Sequence, residues 1–63
     1  MKRRALLDHL KAHGSEFLRE GSRHTMYVNR AASRSSAVPR HAEITNNMAR
    51  KICRDLGVPP PRG

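Results

Sequence analysis

Gly21-Ser22-Arg23-His24-Thr25-Met26-Tyr27 is a small-residue turn that runs into an alternating segment with a histidine at its entrance. Glycine and serine favour a tight reversal, and alternation with a period of two marks a strand. The segment predicts a strand over Arg23 to Asn29, with His24, Met26 and Val28 on one face and Thr25 and Tyr27 on the other. Phe17-Leu18-Arg19-Glu20, on the far side of the turn, is too short and too close to Gly21 to be a helix, so it completes a hairpin. Alternation alone leaves open which face meets a core.

Outward from the hairpin, the N-terminal segment from Lys2 to about His13 places Leu6, Leu7 and Leu10 on one helical face, with Asp8 and Lys11 opposite and Gly14 as the stop. Ala31-Ala32-Ser33-Arg34-Ser35 has no periodicity and reads as a loop whose arginine points to water. Ser36-Ala37-Val38 is a brief third strand ended by Pro39. Thr45 is an N-cap for a second helix that runs to Leu56, with Met48, Ala49, Ile52 and Leu56 as its apolar stripe, Cys53 beside it, and Gly57 as its cap. The reading is one domain over 1–58 of α+β class: helix, three antiparallel strands, helix, with the sheet packed against both helices. That order resembles a double-stranded-RNA-binding domain. Residues 59–63, rich in proline, are expected to be an extended or disordered tail.

Charge points to the partner. Thirteen Lys and Arg against five Asp and Glu give a net charge of +8 on 63 residues, an imbalance that favours a polyanion through phosphate neutralisation and counterion release. No segment is long and apolar enough to enter a bilayer, and the apolar run after Met1-Lys2-Arg3-Arg4 stops at Asp8, which argues against a signal peptide and for a cytoplasmic protein. The lone Cys53 cannot form an internal disulfide, and no Cys/His pair has zinc-ligand spacing. A chain of about 60 residues buries only about 60% of its unfolded surface, so marginal stability or a stabilising partner is expected.

Within a basic domain, a histidine at a strand entrance is a candidate for proton transfer on a phosphodiester, because imidazole takes and gives a proton near neutral pH. Asp8, Glu16, Glu20, Glu43 and Asp55 are scattered over different elements, so no magnesium cluster and no cofactor is expected. The metal-free route is attack by the 2′-hydroxyl of RNA on the neighbouring phosphorus, with His24 as general base and Arg19, Arg23 or Arg40 stabilising the phosphorane charge. His41, Tyr27 or water are the candidates for protonating the leaving oxygen, although His41, near a helix start, also reads as a structural or phosphate-binding residue and Tyr27 as a half-buried sheet aromatic. Arg50, Lys51 and Arg54 form a basic face on the second helix that reads either as a phosphate contact or as a solvated surface. His9 and His13 read as solvated, Met26 and Met48 as core, and Cys53 as a packing residue.

The Gly21-Ser22 turn leading to His24-Thr25-Met26-Tyr27, and Val38-Pro39-Arg40-His41 before the second helix, resemble the HicA (YcfA-like) family of bacterial toxins over Arg4 to Val58. The resemblance implies the toxin of a type II toxin–antitoxin pair: a ribosome-independent mRNA endonuclease whose activity depends on the histidine after the Gly-Ser turn. It also implies a double-stranded-RNA-binding-like fold and neutralisation by a co-encoded HicB antitoxin. Ser22, as part of the turn motif, is a supporting candidate. The usual pattern is Gly-Ser-His-x-x-Tyr or Phe, whereas Arg23 here separates Ser22 from the histidine. His24 keeps its three-residue step to Tyr27, so the extra residue lengthens the turn and leaves His24 at the catalytic position. The alternative is a non-catalytic RNA-binding module. A DNA-binding regulator fits less well, because Pro39 and strand-like residues precede the second helix where a helix-turn-helix partner would lie, and no operator binding by this chain is expected.

Overall fold

The computed structural model describes residues 1–61. Five elements follow in chain order: α1 (Arg3–Ala12), β1 (Glu16–Glu20), β2 (His24–Asn29), β3 (Arg34–Pro39) and α2 (Asn46–Leu56). The three strands form one antiparallel sheet in the order β1-β2-β3, so the protein is α+β with the expected element order. The expectation for the tail falls partly on Arg62 and Gly63, which lie outside the described residues.

Burial decides the face that periodicity left open. Thr25, Tyr27 and Asn29 are buried, whereas His24 is exposed and Met26 and Val28 are half-buried. Because strand side chains alternate, the Thr25/Tyr27/Asn29 face turns to the helices and the His24 face is left without a helix. Leu6 and Leu10 of α1, Tyr27, Val38, Ile44, Val58 and the α2 stripe Ala49, Ile52, Cys53 and Leu56 make the core. Met48, read as core, is instead 41% exposed; it sits in the first turn of α2, outside the stripe that meets the sheet. Met26, also read as core, lies on the face opposite the helices because its parity is that of His24.

The second helix follows its local signals. The Thr45 hydroxyl accepts from the Met48 amide at 3.2 Å. At the other end Gly57 takes φ 70°, and the amides of Gly57 and Val58 donate to Arg54 and Cys53 carbonyls, which returns Val58 to the core as in a Schellman motif. The loop before β3 is shorter than expected. Strand pairing begins at Asn29 with Arg34 and at Val28 with Ser35, and Ser33 at φ 55° completes the reversal. Arg34 does not simply point to water: its Nη1 donates to the Arg54 carbonyl at 3.3 Å, at the end of α2 where carbonyls lack helical partners.

Strand β1 is an edge. A bulge between Phe17 and Arg19 makes Leu18 the extra residue, after which Arg19 faces Met26 and Glu20 faces Thr25. The bulge breaks the ladder of an otherwise open edge. Among the described residues no helix is long and apolar enough to cross a membrane.

Candidate functional site

The turn between β1 and β2 is closed by the Gly21 amide, which donates to the His24 carbonyl at 2.7 Å. This places Arg23 in the turn and His24 as the first residue of β2. Register then sets His24 opposite Pro39, the last residue of β3, so the residues that follow Pro39 emerge beside the turn. Arg23, His24, Pro39, Arg40 and His41 line one cavity of about 500 Å³. Two histidines and two arginines, far apart in sequence, share a concave surface large enough for a nucleotide-sized ligand.

A polar chain beneath the cavity fixes its walls. Arg3 of α1 donates through Nε to the Pro39 carbonyl at 3.0 Å and through Nη2 to Thr25 Oγ1 at 2.8 Å. The Thr25 hydroxyl donates to Glu20 Oε2 at 3.0 Å, and the same carboxylate oxygen pairs with Arg40. Arg40 also donates to the Gly21 carbonyl at 2.9 Å. The Thr25 hydroxyl, assisted by Arg40 and Arg3, holds the Glu20 carboxyl below its ordinary value of 4.5 against an opposing contribution from desolvation. Arg40 is therefore a positioning cation, partly neutralised by Glu20. Arg23 has no hydrogen bond or ion pair among the described residues, which leaves its guanidinium open to an anion.

The segment that carries His41 is fixed from both sides. The Arg3 amide donates to the Ala42 carbonyl at 2.8 Å and the Ile44 amide to the Met1 carbonyl at 2.8 Å, and Lys2 and Glu43 form a bridge pair across the same two stretches of chain. The N-terminus thus acts as a short extra strand that tethers 42–44.

Other candidates lie elsewhere. Tyr27 is buried on the helix-facing side, edge-to-face with Phe17 at 6.3 Å between ring centroids; a three-residue step along a strand reverses the face, so it does not line the His24 cavity. Ser22 is exposed in the turn. Arg19 is exposed on the helix-free face, opposite Met26. Arg50 and Arg54 line a separate cavity of about 270 Å³ with Cys53, Val58 and Pro60, while Lys51 pairs with Asp55 one turn on at 3.2 Å. The basic face of α2 and the His24 cavity share no lining residue. Cys53 is fully buried, and that burial pushes its thiol up, away from the thiolate form. His9 is not merely solvated: its Nε2 donates to the Pro59 carbonyl at 2.7 Å, and its ring lies 4.6 Å from that of His13.

Sequence reasoning missed Arg3, Thr25 and Glu20 as parts of the site. Arg3 reads as one of several basic residues at a helix start and Thr25 as a neutral strand position; only their convergence reveals the role. Among the described residues, no three His, Cys, Asp or Glu side chains gather where they would hold a metal ion. Comparison of the chain with protein-family models, with curated proteins and with solved structures returned no match in any of the three.

Proposed function

We propose that this chain is a HicA-type toxin with a double-stranded-RNA-binding-like fold, a metal-independent endoribonuclease that cleaves mRNA and is neutralised by an acidic HicB-type antitoxin. The observation that carries the reading is the cavity in which His24, His41, Arg23 and Arg40 converge. A net charge of +8 supports a nucleic-acid substrate, and the Gly-Ser turn with its following histidine supports the family likeness.

In this reading His24 removes the proton of a 2′-hydroxyl, and the oxygen attacks the adjacent phosphorus. Arg23 stabilises the negative charge that develops on the phosphorane oxygens, while Arg40 holds the turn through Gly21 and Glu20. A well-placed base contributes about 10²–10⁴-fold in rate, which suits slow destruction of abundant message. The reading places the protein in the bacterial cytoplasm, where mRNA and antitoxin are found, and assigns operator binding to the antitoxin. An acidic partner seated over the His24 cavity would associate fast through complementary charge and would stabilise a small core by mass action.

Induced expression of the wild type and of His24→Ala at equal levels tests it. The wild type is expected to arrest growth and to cleave single-stranded RNA in excess chelator; the variant, which loses an exposed side chain, is expected to do neither while keeping its fold and antitoxin binding. Arrest by the variant would return the chain to the class of non-catalytic RNA-binding modules.

A further inference from the structure

We propose that His41 is the general acid of the reaction, protonating the 5′-oxygen that leaves when the chain is cut, so that the site works as a two-histidine pair. The inference rests on the proposed endoribonuclease reading and assigns the half of the proton transfer that His24 alone leaves undone.

Three observations carry it. First, His24 and His41 line the same cavity from two different segments, the start of β2 and the chain just beyond β3. A phosphodiester cleaved in line has its attacking and leaving oxygens on opposite sides of phosphorus, so a base and an acid must approach from separate walls. Second, a cation precedes each histidine in the chain, Arg23 before His24 and Arg40 before His41, and both line the same cavity, where a phosphate would sit.

Third, the position of His41 is built. Its neighbours are held on both sides, by the Arg3 side chain before it and by backbone hydrogen bonds after it: the Pro39 carbonyl accepts from Arg3 Nε at 3.0 Å, the Ala42 carbonyl from the Arg3 amide at 2.8 Å, and the Met1 carbonyl from the Ile44 amide at 2.8 Å. Yet the His41 side chain is exposed and has no hydrogen bond among the described residues. A fixed backbone presenting a free imidazole to a cavity is the arrangement that proton donation requires. Tyr27, the other side chain considered for this role, is buried on the opposite face of the sheet.

His24 takes the proton of the 2′-hydroxyl as the bond from that oxygen to phosphorus forms. The bond from phosphorus to the 5′-oxygen breaks, and the proton carried by His41 passes to that oxygen. The products are a 2′,3′-cyclic phosphate and a free 5′-hydroxyl. Water returns the proton from His24 to His41, so no metal ion or redox partner enters.

The test replaces the leaving oxygen. Wild-type cleavage sites are mapped on a message, and a short RNA around one of them is made in two forms, one natural and one with sulfur as the bridging 5′-atom. A thiolate leaves without being protonated. Under single-turnover conditions His41→Ala is expected to slow the natural linkage by about 10²–10⁴-fold and the sulfur linkage by less than about tenfold, whereas His24→Ala slows both. Equal slowing of both linkages by His41→Ala would overturn the proposal and make His41 a phosphate-binding residue; no slowing of either would overturn it outright. A wild type that cuts neither RNA would sink the underlying endoribonuclease reading instead. RNA affinity and thermal unfolding of His41→Ala, expected to match the wild type closely, separate loss of chemistry from loss of fold.

Discussion

The Gly21 amide and the His24 carbonyl are joined at 2.7 Å, and a Cβ built on residue 21 would lie 2.9 Å from that same carbonyl oxygen. No real Cβ tolerates that approach to backbone, so the turn that presents His24 depends on the absence of a side chain at position 21. Gly21 is thereby coupled to the site without lining its cavity.

Gly21→Ala is accordingly expected to open the turn and displace His24. The expected result is a fall in stability of about 1–3 kcal/mol, in the range of strained backbone substitutions, together with a loss of cleavage larger than the loss of RNA affinity. Thermal unfolding and single-turnover cleavage at saturating enzyme check both. Unchanged cleavage would show that the turn relaxes without moving His24.

Glu20 links α1, β2 and the cavity through Thr25, Arg3 and Arg40. Its folded-state value is lowered from 4.5, so the carboxylate contributes stability that is fully present above that value and is lost as pH falls through the lowered one. Between about pH 5 and pH 3, unfolding of the wild type should therefore show a steeper loss of stability than that of Glu20→Gln. Parallel curves for the two proteins would show that Glu20 is not linked to folding.

Binding and chemistry are expected to separate on the two basic surfaces. Reversing Arg50 and Arg54, which lie outside the His24 cavity, should lower the dependence of RNA affinity on salt by about 0.7 in slope for each phosphate no longer neutralised, with the cleavage rate at saturation unchanged. Arg23→Ala should instead cut the rate at saturation, since its guanidinium lines the cavity. Salt titrations and single-turnover rates distinguish these outcomes; an unchanged slope makes the α2 face a solvated one.

Asn29 donates from Nδ2 to the Leu56 carbonyl at 2.8 Å in a buried setting, satisfying an acceptor that the end of α2 leaves without a helical partner. Asn29→Ala should cost about 1–3 kcal/mol, the penalty for leaving a buried polar group unpaired. For a domain of this size each kcal/mol lowers the midpoint by about 4–8 °C, a shift that calorimetry resolves.

Much of the architecture was legible because its causes are local. Thr45 and Gly57 mark the ends of α2 through capping and a left-handed φ, and Ala49, Ile52 and Leu56 recur at helical spacing, so neighbours along the chain suffice to define that helix. The strand announces itself by alternation, but it begins at His24, one residue later than the expected Arg23, which falls in the turn. The start of β3 was less legible: Arg34 and Ser35 carry no strand signal and join the sheet only through pairing with Asn29 and Val28.

By itself, then, the sequence determined the element order, the α2 stripe, the polyanion-seeking charge and the candidacy of His24, all properties of residues and their near neighbours. Only the tertiary structure decided which face of β2 is buried, since alternation is symmetric until helices cover one side. It also removed Met26 and Met48 from the core and set Tyr27 on the far side of the sheet. It alone brought His41 to His24 and tied both to Arg3, Thr25 and Glu20, because strand register and the tether of 42–44 to the N-terminus act between residues that no local periodicity relates.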